Sequence, residues 1–247
     1  MAKKRADQLL VERGFAESRS RAQAYIMAGN VYVGGKKIEK SGQQLNEDAP
    51  LEVRGKEHPW VSRGGLKLIK ALDEFDINVC GMTVIDVGAS TGGFTDVCLT
   101  NGASKVYAVD VGHGQLAWKI RNDERVIVLE KTNARYLSTE QIDEPIQLVV
   151  CDASFIGLQT VLPAAMSMVV PNGLLVALIK PQFEVGKGKV GKGGVVREPE
   201  LHREVCDKIE NWITQEMTDW NVIGITQSPI KGPEGNVEFL IGARYEP

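Results

Sequence analysis

"IDVGASTGGFTD", residues 85–96, runs from an apolar lead-in through an acid into a glycine-rich turn. Three kinds of site carry such a stretch. Gly88-Ala89-Ser90-Thr91-Gly92 satisfies G-x-S-x-G, the turn that presents the nucleophilic serine of α/β hydrolases. A glycine-rich turn can also cradle phosphate, or hold a nucleoside cofactor such as S-adenosylmethionine.

The hydrolase reading needs a downstream acid and then a histidine, and Asp152 and His202 come in that order. But such a serine usually follows several strands, whereas this stretch ends the first strand of its domain. His202 falls early in an expected helix, where a surface position is the simpler reading. A phosphate loop should end Gly-Lys-Ser/Thr, and "GGFTD" lacks the lysine. Gly88 and Gly92-Gly93 also break the G-x-G-x-x-G spacing of dinucleotide sites. What remains is a strand, a tight turn and a helix opening near Gly93. Glycines let backbone approach a ligand closely, and a helix N-terminus favours a carboxylate such as that of S-adenosylmethionine. Asp86, Gly88, Ala89, Ser90, Gly92, Gly93 and Phe94 are therefore the candidate cofactor loop.

Outward from the loop, the chain alternates. Strands are expected at 83–87, 105–109, 126–129, 147–151 and 174–179, with helices between them, as at 114–121 and 157–169. Such a series makes a mostly parallel sheet covered on both faces. After a helix near 199–216, "WNVIGITQSPI" and "NVEFLIGAR" are joined by the short turn 231–235 and should pair antiparallel. The expected fold class is α/β, a Rossmann-like class I methyltransferase sheet, mostly parallel with the last strand antiparallel. Asp110 ends the second strand, where an acid can accept both ribose hydroxyls of a nucleoside. Asn133 follows the third strand and is placed for the adenine; an ordinary loop asparagine is the alternative.

Four more residues gather at element ends: Lys67 in the first turns of a helix before the sheet, Asp152 after the fourth strand, Lys180 after the fifth, and Glu238 before the last. Singly each has a plain structural explanation. Together they mark the strand ends where open α/β sheets bind ligands. Lys180 also closes an apolar run, where a charge without partners is costly.

The first 40 residues carry nine Lys/Arg against four Asp/Glu; the rest carry 20 against 28. A basic end on an acidic body suggests a separate module for a polyanion. That module reads as a helix over 5–13 ended by Gly14, and a second helix capped by Ser20 and Gln23 and closed by Gly29-Asn30. A hairpin "VYV"–"KKI" and a strand "LEV" follow. Residues 54–65 look like the joint, where Trp60 packs between domains or covers a core edge. "MAKKRADQLL" is not expected to be a signal peptide, since it has no apolar core. Residues 153–179 lack charge for a span long enough to cross a bilayer, but Pro171-Asn172-Gly173 breaks it into an expected helix, turn and strand. The four scattered cysteines suggest no metal site or disulfide frame and a reducing cytoplasm.

The order L-x-x-x-G…S-R-x-x-A-x-x-x-I-x-x-G-x-V-x-V-x-G over residues 5–53 resembles the S-four type RNA-binding domain. That resemblance makes Arg5, Arg19, Arg21, Lys36 and Lys37 candidate phosphate contacts. Residues 60–247 resemble the FtsJ-like ribose 2′-O-methyltransferases, with Lys67, Asp152, Lys180 and Glu238 as their catalytic tetrad. "SRGGLKL", "DVGASTGGFTD", "CDASFI", "IKPQFE", "GGVVR" and "GNVEFL" make the chain resemble the TlyA (hemolysin A-type) rRNA methyltransferases nearly end to end.

The resemblance implies transfer of a methyl group from S-adenosylmethionine to a ribose 2′-hydroxyl, of a cytidine, in ribosomal RNA. The large subunit is the expected substrate and the small subunit a second candidate. Lys180 would be base or orienter of the 2′-oxygen, with Asp152 and Glu238 holding the two lysines; as a base it would need its pKa lowered. The basic, glycine-rich loop 183–198, with Lys187, Lys189 and Lys192, is expected to lack regular structure and to lie with Arg63 on the RNA. The expected division is 1–58 RNA-binding, 59–65 linker and 66–247 catalytic, with ribosomal subunits as partner and neither membrane nor metal. A non-catalytic ribosome-assembly protein and a pore-forming toxin are the competing readings. Oligomeric state leaves no sign in the sequence.

Overall fold

The computed structural model describes every residue except Met1, Ala2, Glu17, residues 55–57, Lys187 and Lys192. The N-terminal region consists of β1 (Lys3–Arg5), α1 (Ala6–Glu12), α2 (Arg19–Met27), β2 (Val31–Val33), β3 (Lys36–Lys37), β4 (Gln44–Asn46) and β5 (Leu51–Val53). β2 pairs antiparallel with β3 and β5, and β1 pairs antiparallel with β4. Leu9, Leu10, Ala22, Ile26, Val31 and Ile38 make a core of its own. Burial of Ala22 and Ile26, four apart on α2, follows from the helical period. The cap of α2 is Ser18, whose hydroxyl accepts from the Arg21 N–H at 3.2 Å. The expected Ser20–Gln23 capping box is absent: Ser20 bonds Ser18, and Gln23 donates instead to Asp7.

The remainder runs α3 (Gly64–Glu74), β6 (Thr83–Val87), α4 (Gly93–Thr100), β7 (Lys105–Val109), α5 (Trp118–Arg121), β8 (Val126–Leu129), β9 (Ile146–Cys151), α6 (Leu158–Val161), α7 (Pro163–Met166), β10 (Val169–Ile179), α8 (Pro181–Glu184), α9 (Pro199–Glu216), β11 (Trp220–Gln227) and β12 (Phe239–Tyr245). The sheet order is β11-β12-β10-β9-β6-β7-β8. β6 to β10 are mutually parallel, and β12 lies antiparallel between β10 and β11.

Alternation along the strands divides the core. Val84, Val106, Leu148 and Val176 pack under α3 and α4, while Ile85, Tyr107, Val149 and Ala177 pack under α6, α7 and α9. Both faces are covered, so β6 is buried at all five positions, Thr83 and Asp86 included. Trp60 belongs to the first of these layers and lies against Gly65, so it covers a core edge.

Three expected elements differ. The helix over 157–169 is two short ones, because Leu162-Pro163 interrupts the turn-to-turn bonding. The helix over 114–121 keeps only its last turn. Pro171–Gly173 is an irregularity inside β10, with Asn172 left-handed at φ 65° and a register shift between Val169 and Leu174. Among the described residues no helix is long and apolar enough to cross a membrane.

Strand order reverses between β6 and β9: one leads on to β7 and the other to β10. In an open α/β sheet the crevice at such a reversal is the ligand site. Gly88 leaves β6 there and Asp152 leaves β9.

Candidate active site

At that crevice two adjoining cavities share Gly88, Ser90, Asp152 and Ser154 in their walls. The first contains Asp110, Thr132, Asn133, Ala153 and Ile156. Both Asp110 oxygens are already engaged, accepting from Ser90 N–H at 2.8 Å and Gly112 N–H at 2.7 Å. Asp110 thus braces the glycine loop while lining the cavity that also holds Asn133. Asn133 caps a 3₁₀ turn, accepting from the Arg135 N–H.

The second cavity is lined by Asp86, Ala89, Thr91, Gly93, Phe94, Arg63, Lys67 and Lys180 among others. Gly88 has φ 79°, and a Cβ there would stand 2.8 Å from the Ala153 backbone. The crevice can close this tightly only around glycine. Gly92 departs from the expected role: it supplies a left-handed turn at φ 94° but faces Leu116 and Ile120 and lines neither cavity.

Asp86 is buried. One carboxylate oxygen accepts from the Thr95 hydroxyl at 2.6 Å, and the other, Oδ1, has no partner. Burial pushes its pKa up to about 7; the Thr95 bond opposes this, and the charges of Asp152 and Asp110 add to it. An orphaned carboxyl oxygen in a cavity wall suits an ammonium group. The N-terminus of α4 beside it suits a carboxylate. These two features and Asp110 match an amino-acid–nucleoside cofactor of the S-adenosylmethionine kind.

The four element-end residues meet in this second cavity. Lys67 Nζ donates to Glu238 Oε2 at 2.7 Å and lies 3.6 Å from Asp152 Oδ2. Lys180 Nζ stands 2.7 Å from Asp152 Oδ1 and donates to the Asp152 carbonyl and the Ser154 hydroxyl, each at 2.9 Å. The Glu238 side chain is 0% exposed and those of the lysines 9% and 7%, against 22% for Asp152. Two cations and two anions thus form a neutral chain, Lys180–Asp152–Lys67–Glu238, in which Asp152 is the most exposed member. Burial makes the charges expensive unless they are paired as they are here.

The alternatives to this site lose their geometry. The Ser90 hydroxyl bonds Gln115 at 3.3 Å, not a histidine. His202 is buried rather than on the helix surface; its Nε2 lies 3.0 Å from the Val196 carbonyl, and its ring packs edge-on to Phe239. Burial raises the thiol pKa of Cys98 well above normal and that of Cys151 to about 12, which suits core packing rather than nucleophilic or metal chemistry. No group of His, Cys, Asp and Glu able to hold a metal occurs among the described residues.

The basic candidates are spread more widely. Arg5 and Arg19 both bond the carboxylate of Asp7, whose side chain is 0% exposed. The Arg5 hydrogen bond, with those of Gln23 and Arg19, holds Asp7 well below the usual carboxylate range. Arg21 lies over the Tyr25 ring, and Lys36 and Lys37 are exposed on β3. Arg63 lines the tetrad cavity. Lys189 pairs with Glu204 at 2.6 Å, while Lys187 and Lys192 lie outside the described residues. Asp7 and Ser154 were not among the sequence candidates. Ser154 stands two residues beyond Asp152, where the strand-end pattern could have drawn it in.

The FtsJ-like methyltransferase profile matches residues 60–245 and the S4 domain profile residues 4–50. The chain is 48% identical, over 98% of its length and 90% of the relative's, to the 16S/23S rRNA (cytidine-2′-O)-methyltransferase TlyA of Mycobacterium tuberculosis. It is 41% identical, over 96% and 98%, to hemolysin A of Brachyspira hyodysenteriae. A solved structure from Streptococcus thermophilus, assigned as a hemolysin, aligns with a TM-score of 0.74 at 42% identity, covering 100% of this chain and 90% of that one.

Proposed function

The chain belongs to the FtsJ-like methyltransferase family and carries an S4 domain at its N-terminal end, and from that premise we propose that it methylates the ribose 2′-oxygen of a cytidine in ribosomal RNA with S-adenosylmethionine. The observation that carries this reading is the Lys180–Asp152–Lys67–Glu238 chain opening into the cavity of the glycine loop. Residues 1–58 form the RNA anchor, 59–65 the joint and 66–247 the catalytic part, acting in the cytoplasm on ribosomal subunits. The large subunit is the first substrate to test.

Asp86 holds the ammonium of the cofactor, the start of α4 its carboxylate, Asp110 the ribose hydroxyls and Asn133 the adenine. When bound, S-adenosylmethionine supplies an electrophilic methyl group on a good leaving group. The protein's work is then to bring a weakly acidic alcohol into line with it, where positioning contributes most. Lys180 aims the 2′-oxygen, and the Asp152 carboxylate paired with it would take the proton that the hydroxyl gives up. Lys67, tied to Glu238, keeps Asp152 turned towards Lys180. Arg5, Arg19, Arg21, Lys36 and Lys37 grip phosphates, and Arg63 and the loop around Lys189 guide the strand inwards.

The experiment is transfer of labelled methyl from S-adenosylmethionine to isolated large and small subunits, followed by mapping of 2′-O-methyl positions. A cytidine ribose labelled by this protein and not by its Lys180→Ala variant supports the reading. Label on a base or on protein overturns it.

A further inference from the structure

Lys231 stands beside the tetrad without belonging to it. It lies between β11 and β12, lines the cavity of Lys67, Asp152 and Lys180, and is exposed. No hydrogen bond or ion pair engages its side chain among the described residues.

The turn that presents it is held on both sides. The Ser228 N–H donates to the Glu238 carbonyl at 2.9 Å, and the Ser228 hydroxyl donates to the Ile230 carbonyl at 2.7 Å. The Gly232 N–H donates to the Asn236 carbonyl at 2.9 Å. Asn236 is 3% exposed, and its side chain accepts from Val196 N–H and donates to the Gly194 carbonyl. Gly232 rests on the Glu238 carboxylate where any Cβ would overlap it. Lys231 is therefore a cation offered from a fixed turn, next in chain to the residue that touches the innermost tetrad acid.

The tetrad sums to zero formal charge, and Lys231 adds a cation to the cavity wall beside it. The substrate chemistry names the anion that fits. In an RNA strand the carbon next to the one bearing the 2′-hydroxyl carries the 3′-phosphodiester. Wherever Lys180 receives a 2′-oxygen, a phosphate must lie close by. We propose that Lys231 binds the 3′-phosphodiester of the nucleotide being methylated and so fixes the ribose for Lys180, an inference that rests on the ribose 2′-O-methyltransferase reading above. Lys231 is a substrate-positioning residue: it favours an internal nucleotide of a chain over a free nucleoside. The cofactor's carboxylate offers the same anionic chemistry, but it belongs with Asp86 and the start of α4, on the glycine-loop side of the cavity.

The test compares wild type with Lys231→Ala, Lys231→Gln and Lys231→Arg in single-turnover methylation of isolated ribosomal subunits, with calorimetric titration of S-adenosylmethionine alongside. The alanine and glutamine variants should lose roughly 10- to 100-fold in rate at saturating subunits, the scale of a hydrogen bond to a charged group. Arginine, which keeps the charge, should stay within roughly tenfold of wild type. Cofactor affinity should hold in all three. An alanine variant at the wild-type rate overturns the proposal. So does a loss of cofactor affinity matching the loss of rate, which assigns Lys231 to the carboxylate. A wild-type protein that methylates no ribosomal RNA overturns the parent reading, a result separable from either.

Discussion

Lys67 and Glu238 are 171 residues apart in the chain, and their side chains meet at 2.7 Å with Glu238 wholly buried. A pair of this kind should be costly to halve. Glu238→Gln or Lys67→Met should each lower unfolding stability by about 3–5 kcal/mol, because the remaining charge stays buried without its partner. The double variant Lys67→Met/Glu238→Leu should regain most of that stability in urea titration without regaining methyl transfer. A double variant as unstable as the singles would mean that packing, not charge, sets the cost.

Lys180→Ala should bind S-adenosylmethionine normally and lose at least roughly 10²-fold in single-turnover rate, the lower range of acid–base catalysis. Lys180→Arg should not restore it, since a guanidinium has another shape and keeps its protons. A variant within a few-fold of wild type would remove Lys180 from the reaction.

Asp86 predicts a pH dependence. Its folded pKa of about 7 is above that of an unfolded aspartate, and burial is the main cause. The native state therefore holds its proton more tightly than the unfolded state does. This contribution to stability is full in acid, below the unfolded pKa, and falls away as pH rises through about 7. Cofactor binding should run the other way, since an ammonium needs the ionised carboxylate. Affinity should rise with pH by up to about tenfold per unit below 7. Asp86→Asn should flatten both profiles, and calorimetry between about pH 6 and 7.5 reads the second.

Gly88→Ala should abolish cofactor binding and cost about 1–3 kcal/mol of stability, because a side chain there meets the Ala153 backbone at an unfavourable φ. Ser90→Ala should keep most activity. Loss of all activity in Ser90→Ala with the cofactor still bound would return the serine to a chemical role.

Charge reversal at Arg19 and Arg21 should weaken subunit binding and flatten its salt dependence. The log–log slope should fall by roughly 0.7–0.9 for each phosphate that is no longer neutralised. Cofactor affinity should not move. Unchanged binding and slope would take the RNA anchor away from the N-terminal region.

Strand periodicity carried the sheet. Thr83–Val87, Lys105–Val109 and Val126–Leu129 have the bounds their apolar runs predict, because parallel strands covered on both faces need apolar residues almost throughout. The four residues of the tetrad could be singled out because they lie at or near element ends and match the FtsJ-like pattern, and the structure brings their side chains together. His202 was misjudged although its stripe was visible: Val205, Ile209, Trp212 and Ile213 lie at helical spacing from it, and all are buried. Asp7 and Lys231 were missed for another reason. Each gains its place from partners or cavity walls distant in sequence or from a turn, and no local period reports that.

β12 enters the sheet between β10 and β11, with Glu238 directly ahead of it. A chain is synthesised from its N-terminus, so this central place is filled after every other described strand of the sheet has been made. Until then β10 offers a bare edge, open to pairing with any passing strand, and Lys67 has no Glu238 to meet. On the proposed mechanism, a polypeptide arrested short of Glu238 should be both inactive in methyl transfer and prone to edge-to-edge association.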